Sequence, residues 1–198
     1  MEEKKQSKII FAVLGVAILL TLTVGLSFAI YTYNATGGEN TIQTGTVSMS
    51  FTESTNVVNI SNALPVQNEA AAKTSSDYFE FSVKSSTTGA MNVPYTINIT
   101  EVAVDTGYTK LSPEYVQVYL TEVDGGTETE KVNKTANAIL NTQTTGKLID
   151  GTHNHTAGGE LTTTYRLRLW IPYSVDASDW GADTKLEYKV RIDASGEM

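Results

Sequence analysis

The sequence predicts an all-β protein: an antiparallel two-sheet sandwich preceded by one N-terminal hydrophobic helix. Three observations carry this. Ile9–Tyr31 contains no charged residue and is led by Lys4, Lys5 and Lys8. Beyond it, about eight segments alternate apolar and polar residues with a period of two, the mark of strands buried on one face. Those segments draw on Thr, Val and Tyr, which suit a pleated surface, and are separated by turn-forming Gly, Pro, Asn and Asp. Alternation without continuous apolar runs favours antiparallel sheets packed face to face.

As a helix, Ile9–Tyr31 is long enough to cross the roughly 30 Å hydrocarbon core of a bilayer. Lysines favour the cytoplasmic side, so everything after Tyr31 is expected to face outward. The same features fit an export signal. Ser27-Phe28-Ala29 puts small side chains at the −3 and −1 positions of a cut between Ala29 and Ile30. Signal cores usually run about 7–15 residues and this one is longer, so an uncleaved anchor stands as the alternative. The domain reading is 1–29 as signal peptide or signal anchor, 30–45 as an extended arm or linker, and 46–198 as the sandwich.

The exterior chain follows in order. Tyr33–Gly45 is rich in Asn, Thr and Gly and reads as the arm. In Thr46–Glu53, Val47, Met49 and Phe51 share one face. Val57–Ile60 is a short apolar run that ends before Pro65, and Gln67–Ser76, with three alanines, predicts a helical turn or a loop. Asp77–Lys84 places Phe79, Phe81 and Val83 inward. Val93–Thr100 does the same with Val93, Tyr95, Ile97 and Ile99. Val102 and Val104 then fall on the opposite phase, which predicts a bulge near Thr100-Glu101, and Pro94 marks an edge strand or a strand beginning. Tyr115–Val123 is apolar on both faces, as a central strand would be. Asp124-Gly125-Gly126 is a hairpin turn leading into an exposed strand over Thr127–Val132. Asn133–Gly159 is polar and glycine-bearing and reads as long loops around Ala138-Ile139-Leu140. Thr164–Ile171 sends Tyr165, Leu167, Leu169 and Ile171 inward, with Arg166, Arg168 and Trp170 on the other face. Lys185–Asp193 sends Leu186, Tyr188, Val190 and Ile192 inward and presents Lys185, Glu187, Lys189 and Arg191 as a solvated or edge-guarding face.

Composition narrows the function classes. With 14 basic and 22 acidic residues the chain has a net charge of −8 and no basic cluster, so nucleic acid is not an expected partner. It has no cysteine, which removes thiol catalysis and cysteine-held metals. GxSxG, HExxH, GxxxxGK[ST] and GxGxxG after a strand are all absent. His153 and His155 are the only histidines. Two apart on a strand they would share a face and could hold a metal with Asp150 as a third ligand, but the Gly/Thr-rich surroundings favour two solvated rings in a loop. No metal, no cofactor and no catalytic set is expected, and the chain reads as a non-enzyme. Glu122, Asp124, Glu128 and Glu130 read as a solvated hairpin rather than a calcium site. Asn34, Asn59, Asn98, Asn133 and Asn154 each begin an Asn-x-Ser/Thr triplet, which Asn- and Thr-rich composition explains before glycosylation does. Trp170, off the inward face, is a partner anchor or the cover of a second core layer, with the second reading preferred.

The order of features resembles one family. A lysine-led hydrophobic segment ends in Ser27-Phe28-Ala29-Ile30-Tyr31. Asn40-Thr41-Ile42-Gln43-Thr44-Gly45-Thr46-Val47-Ser48-Met49-Ser50 follows, then Val58-Asn59-Ile60-Ser61-Asn62 and Phe79-Glu80-Phe81-Ser82-Val83. Over roughly residues 1–100 this is similar to the TasA/camelysin family of exported bacterial matrix, or biofilm fibre, proteins. The turn Asn62-Ala63-Leu64-Pro65-Val66 departs from the family in lacking a glycine after proline. The resemblance implies a jelly-roll-like sandwich, a cleaved signal, and polymerisation in which an N-terminal strand of one subunit completes the sheet of the next, with 30–45 as the donor. The metalloprotease activity described for camelysins has no zinc constellation here to carry it. The leading expectation is a secreted or cell-surface structural subunit that self-associates through residues 30–45. The alternative is a membrane-anchored surface binding module, or a virion surface protein, that keeps residues 9–31 in the bilayer.

Overall fold

The computed structural model describes residues 45–52, 56–61, 64–176, 178, 180 and 184–196. The N-terminal hydrophobic segment, the cleavage residues Ser27, Ala29 and Ile30, and the arm up to residue 44 lie outside them. Among the described residues no helix is long and apolar enough to cross a membrane.

Ten strands appear in chain order: β1 (Gly45–Phe51), β2 (Val57–Ser61), β3 (Phe79–Thr87), β4 (Met91–Glu101), β5 (Thr109–Lys110), β6 (Gln117–Asp124), β7 (Thr127–Thr135), β8 (Thr145–His155), β9 (Gly159–Trp170) and β10 (Leu186–Gly196). They form two sheets. The first has the order β1-β3-β9-β6-β7 and the second β2-β10-β4-β8, with β5 added alongside β10. All pairings are antiparallel except that of the two-residue β5. The chain changes sheet at each step from β1 to β4, which gives the jelly-roll-like character of the sandwich. Two short helices interrupt it, α1 (Glu69–Lys73) and α2 (Ala136–Leu140), each capped by a side chain, Asn68 and Thr135 respectively.

The expected inward residues form the core. Phe79, Phe81 and Val83 from β3, Tyr95, Ile97 and Ile99 from β4, Tyr165 and Leu167 from β9, and Tyr188, Val190 and Ile192 from β10 are all buried. Val116, Val118 and Leu120 join them from the segment expected to be central, and β6 does lie between β9 and β7. Gly125 and Gly126 alone connect β6 to β7, at φ 54° and 87°. Both central residues of such a turn need positive φ, which glycine supplies without steric cost.

Three expectations are corrected. Asn133–Gly159 is not loop: it holds the end of β7, α2 and the eleven-residue β8. The irregularity expected at Thr100-Glu101 lies elsewhere. Ile97 pairs with Ile149 and Asn98 with Lys147, so Leu148 is the extra residue, and the bulge belongs to β8. The phase slip at Val102 marks the end of β4, after which the chain leaves the strand. Finally, β10 is not an edge. It runs between β2 and β4, and its charged face is partly covered by the segment after β4. Glu187 is 1% exposed there, accepting from Asp105 N at 2.6 Å and from Asn59 Nδ2 at 3.1 Å, while Lys189 pairs with Asp105 at 2.7 Å. Pro94 sits near the start of β4, an interior strand of its sheet.

Candidate functional site

β8 turns His153 and His155 into the interior, since residues two apart on a strand share a face. They are 5% and 6% exposed. Ser85, from β3 of the opposite sheet, lies between them, its Oγ 2.7 Å from His153 Nδ1 and 2.7 Å from His155 Nε2. His153 Nε2 reaches Thr163 Oγ1 on β9 at 2.9 Å. The Tyr95 ring lies 4.9 Å from the His153 ring, and its hydroxyl shares a 2.7 Å hydrogen bond with that of Tyr165. Ser85, Thr163 and Tyr165 belong to the first sheet; His153, His155 and Tyr95 belong to the second. Each of these four hydrogen bonds therefore crosses the sandwich.

A neutral imidazole has one donor and one acceptor nitrogen, and Ser85 has one hydroxyl proton. Ser85 thus donates to one ring and accepts from the other. One added proton can be accommodated by reversing that chain. A second would leave Ser85 Oγ facing two N–H donors, with no acceptor for its own hydrogen. Burial pushes the His153 pKa below its ordinary value, and the neighbouring His155 pushes the same way; Glu122 opposes them. Burial, followed by the hydrogen bond to Tyr95, pushes the Tyr165 phenol up.

The solvated-loop reading of this pair is corrected: both rings are strand residues in the core. Asp150, proposed as a third ligand, is exposed and binds Lys147 Nζ at 2.6 Å and Thr96 Oγ1 at 2.8 Å. Among the described residues no three His, Asp or Glu side chains converge as a metal site. Nor does the Ser85–His153 contact resemble a nucleophile and its base. Ser85 is 1% exposed, and the second nitrogen of the ring meets a threonine rather than an orienting carboxylate.

The outer face of the first sheet carries a second polar cluster. Glu128 on β7 accepts from Arg168 Nη1 at 2.7 Å, Arg168 Nη2 at 3.0 Å, Arg166 Nη1 at 2.7 Å and Thr121 Oγ1 at 2.7 Å. Arg166 also binds Glu80 at 2.8 Å, and Arg168 Nε donates to the Ser75 carbonyl at 2.8 Å. Both guanidinium groups stand over the Tyr78 ring, at 4.3 and 4.9 Å from its centre. The Arg168 hydrogen bond leads the causes that pull the Glu128 pKa down to about 2. Beside this cluster Lys73 of α1 pairs with Glu130 and covers Tyr119, which packs on buried Trp170. Trp170 therefore covers a second core layer. The solvated-hairpin reading is corrected in part: Glu128 is clamped by two arginines, while Glu122 pairs with Lys131.

Apart from the two-residue β5, which pairs with β10 alone, four strands have a partner on one side only among the described residues: β1 and β7 in the first sheet, β2 and β8 in the second. β7 and β8 carry Lys, Glu or Asp, the usual guard against edge pairing. β1 (GTVSMSF) and β2 (VVNIS) carry no charge and no proline.

Sequence reasoning missed Ser85 and Thr163. Extending the β3 alternation from Val83 by two residues puts Ser85 on the inward face, which was the available signal. Arg168 was placed on the correct face, but its burial depends on the segment before β3, which periodicity does not reveal.

No protein-family model and no curated relative matches this chain. Solved structures with some likeness include the family 32 carbohydrate-binding module of C. perfringens NanJ in complex with galactose, at 9% identity and a TM-score of 0.21, covering 74% of this chain and 100% of that one. Another is TmCBM61 in complex with beta-1,4-galactotriose, at 12% identity and a TM-score of 0.23, covering 76% and 88%. A third is AvmM, which catalyses macrocyclization in alchivemycin A biosynthesis, at 12% identity and a TM-score of 0.24, covering 71% and 87%. Likeness at this level bears on neither ligand nor activity.

Proposed function

We propose that this chain is an exported, non-enzymatic structural subunit of the TasA/camelysin kind, which assembles by β-strand addition. The observation that carries the reading is β1, an uncharged strand that begins at Gly45, where the polar arm ends, and that has an open edge among the described residues. An edge without charge or proline is a template for another strand, and main-chain hydrogen bonds to it supply affinity without a side-chain pocket. The arm of one copy, residues 30–45, is the donor; the open edge of β1 or β2 in the next copy is the acceptor. Deleting Ile30–Asn40 from the precursor is expected to give an exported, folded monomer that forms no fibres. Fibres at normal yield from that variant would overturn the proposal.

The length of the apolar run Ile9–Tyr31 favours a second reading, a surface binding module held by an uncleaved anchor. Mass spectrometry of the mature amino terminus separates them. A terminus at Ile30 supports the fibre subunit, and an intact start at Met1 or Glu2 supports the anchored module.

A further inference from the structure

The cross-sheet histidine cluster holds two buried imidazoles whose side-chain hydrogen bonds go to hydroxyls, with the Tyr95 ring beside His153. It also lies close to the start of β1. Val47 of β1 pairs with Ser85, and a side chain built on Gly45 would come within 2.9 Å of Val93, which pairs with His153. We propose that Ser85, His153 and His155 form an acid-sensitive joint between the two sheets, closed while the His153 imidazole is neutral and opened by its protonation, with β1 the strand released first.

The geometry gives the joint two properties. It is a bridge, since the hydroxyls of Ser85 and Thr163 hold the histidines from the opposite sheet. It is also limited in protons, because Ser85 can serve one charged ring by reversing its hydroxyl but not two. The titratable and charged groups around it are few. Tyr95 from β4 and Tyr165 from β9 bond to each other. Glu122 from β6 is the one carboxylate acting on His153, and it is shared with Lys131. Lys84 on β3 and Glu160 on β9 pair together on the exposed side. Among the described residues no carboxylate hydrogen-bonds either ring, so a buried positive charge here is opposed only at a distance, by Glu122. β1 is the weakest neighbour: like β8 it is paired on one side only among the described residues, and its 7 residues make a shorter ladder than the 11 of β8.

The sign follows from burial. The unfolded chain takes up a proton at His153 as pH falls below about 6.5, while the fold resists, so stability is complete above that value and declines below it. Held neutral, His153 raises the unfolding constant by up to about tenfold per pH unit.

The test uses the full chain in mild detergent, with histidine-labelled NMR and amide hydrogen exchange between pH 7.5 and 5.0. The expected result is that His153 stays neutral below pH 6.5 and that amides of Gly45–Phe51 lose protection before those of β6 and β9 as the ring charges. Free titration near 6.5 with β1 still protected overturns the proposal. His153→Gln/His155→Gln is expected to flatten the dependence of unfolding on pH over that interval, and an unchanged slope also overturns it. If that variant does not fold, the wild-type titration and exchange decide alone. None of these readouts requires fibre formation, so the joint and the assembly reading stand or fall separately.

Discussion

At the scale of single residues, Glu128 shows how a charge cluster can stabilise a surface and confine it to a pH range. Its carboxylate satisfies Arg168, which is 3% exposed at the side chain and has few other partners. Removing one member of such a pair leaves a buried charge uncompensated, so Glu128→Gln is expected to cost about 2–3 kcal/mol in chemical denaturation. The same contact sets an acid limb. With a pKa of about 2 in the fold against an ordinary 4.5, the carboxylate's contribution is complete above pH 4.5 and fades as pH falls through 2. Glu128→Gln should lack this limb while retaining any decline between pH 6.5 and 5. Arg166, Arg168 and their face could be read from alternation, because charge on one side of a strand is a local pattern. That Glu128 would meet them was not legible, since the partner comes from another strand nearly forty residues away in sequence.

At the scale of elements, β8 explains most of what the sequence concealed. Its inward residues are Gly146 and the bulge residue Leu148, then Gly151, His153 and His155, so the phase reverses within one strand. A period-two search finds no continuous pattern across such a reversal, and glycine and histidine disguise the core face further. β3, β9 and β10, free of bulges, were legible from their apolar residues alone. Gly151 is part of the same design. A methyl group on it would lie 2.3 Å from Tyr95 Cζ and 2.6 Å from its hydroxyl oxygen. Gly151→Ala must displace Tyr95 and its bond to Tyr165, and is expected to lower stability by about 1–3 kcal/mol in thermal or denaturant unfolding.

At the scale of the whole molecule, the antiparallel sandwich followed from alternation and turn residues, whereas strand order did not, because pairings between distant segments leave no local trace. The distribution of charge over the four open edges makes a prediction at this level. Ser48 and Ser50 are exposed on β1. Ser48→Lys/Ser50→Lys is expected to leave the thermal midpoint within a few degrees while suppressing strand addition, measured as the fibre fraction by sedimentation. Full assembly by this variant would shift the acceptor role to β2. The central place of β10 has a consequence in time. β2 and β5 pair with Leu186–Gly196 alone and β4 needs it for its second ladder, and β2 was synthesised more than a hundred residues earlier. The second sheet cannot be completed on a chain still emerging from the ribosome short of that point. Until then β2 has no partner among the described strands, because β10 is the one strand it pairs with there.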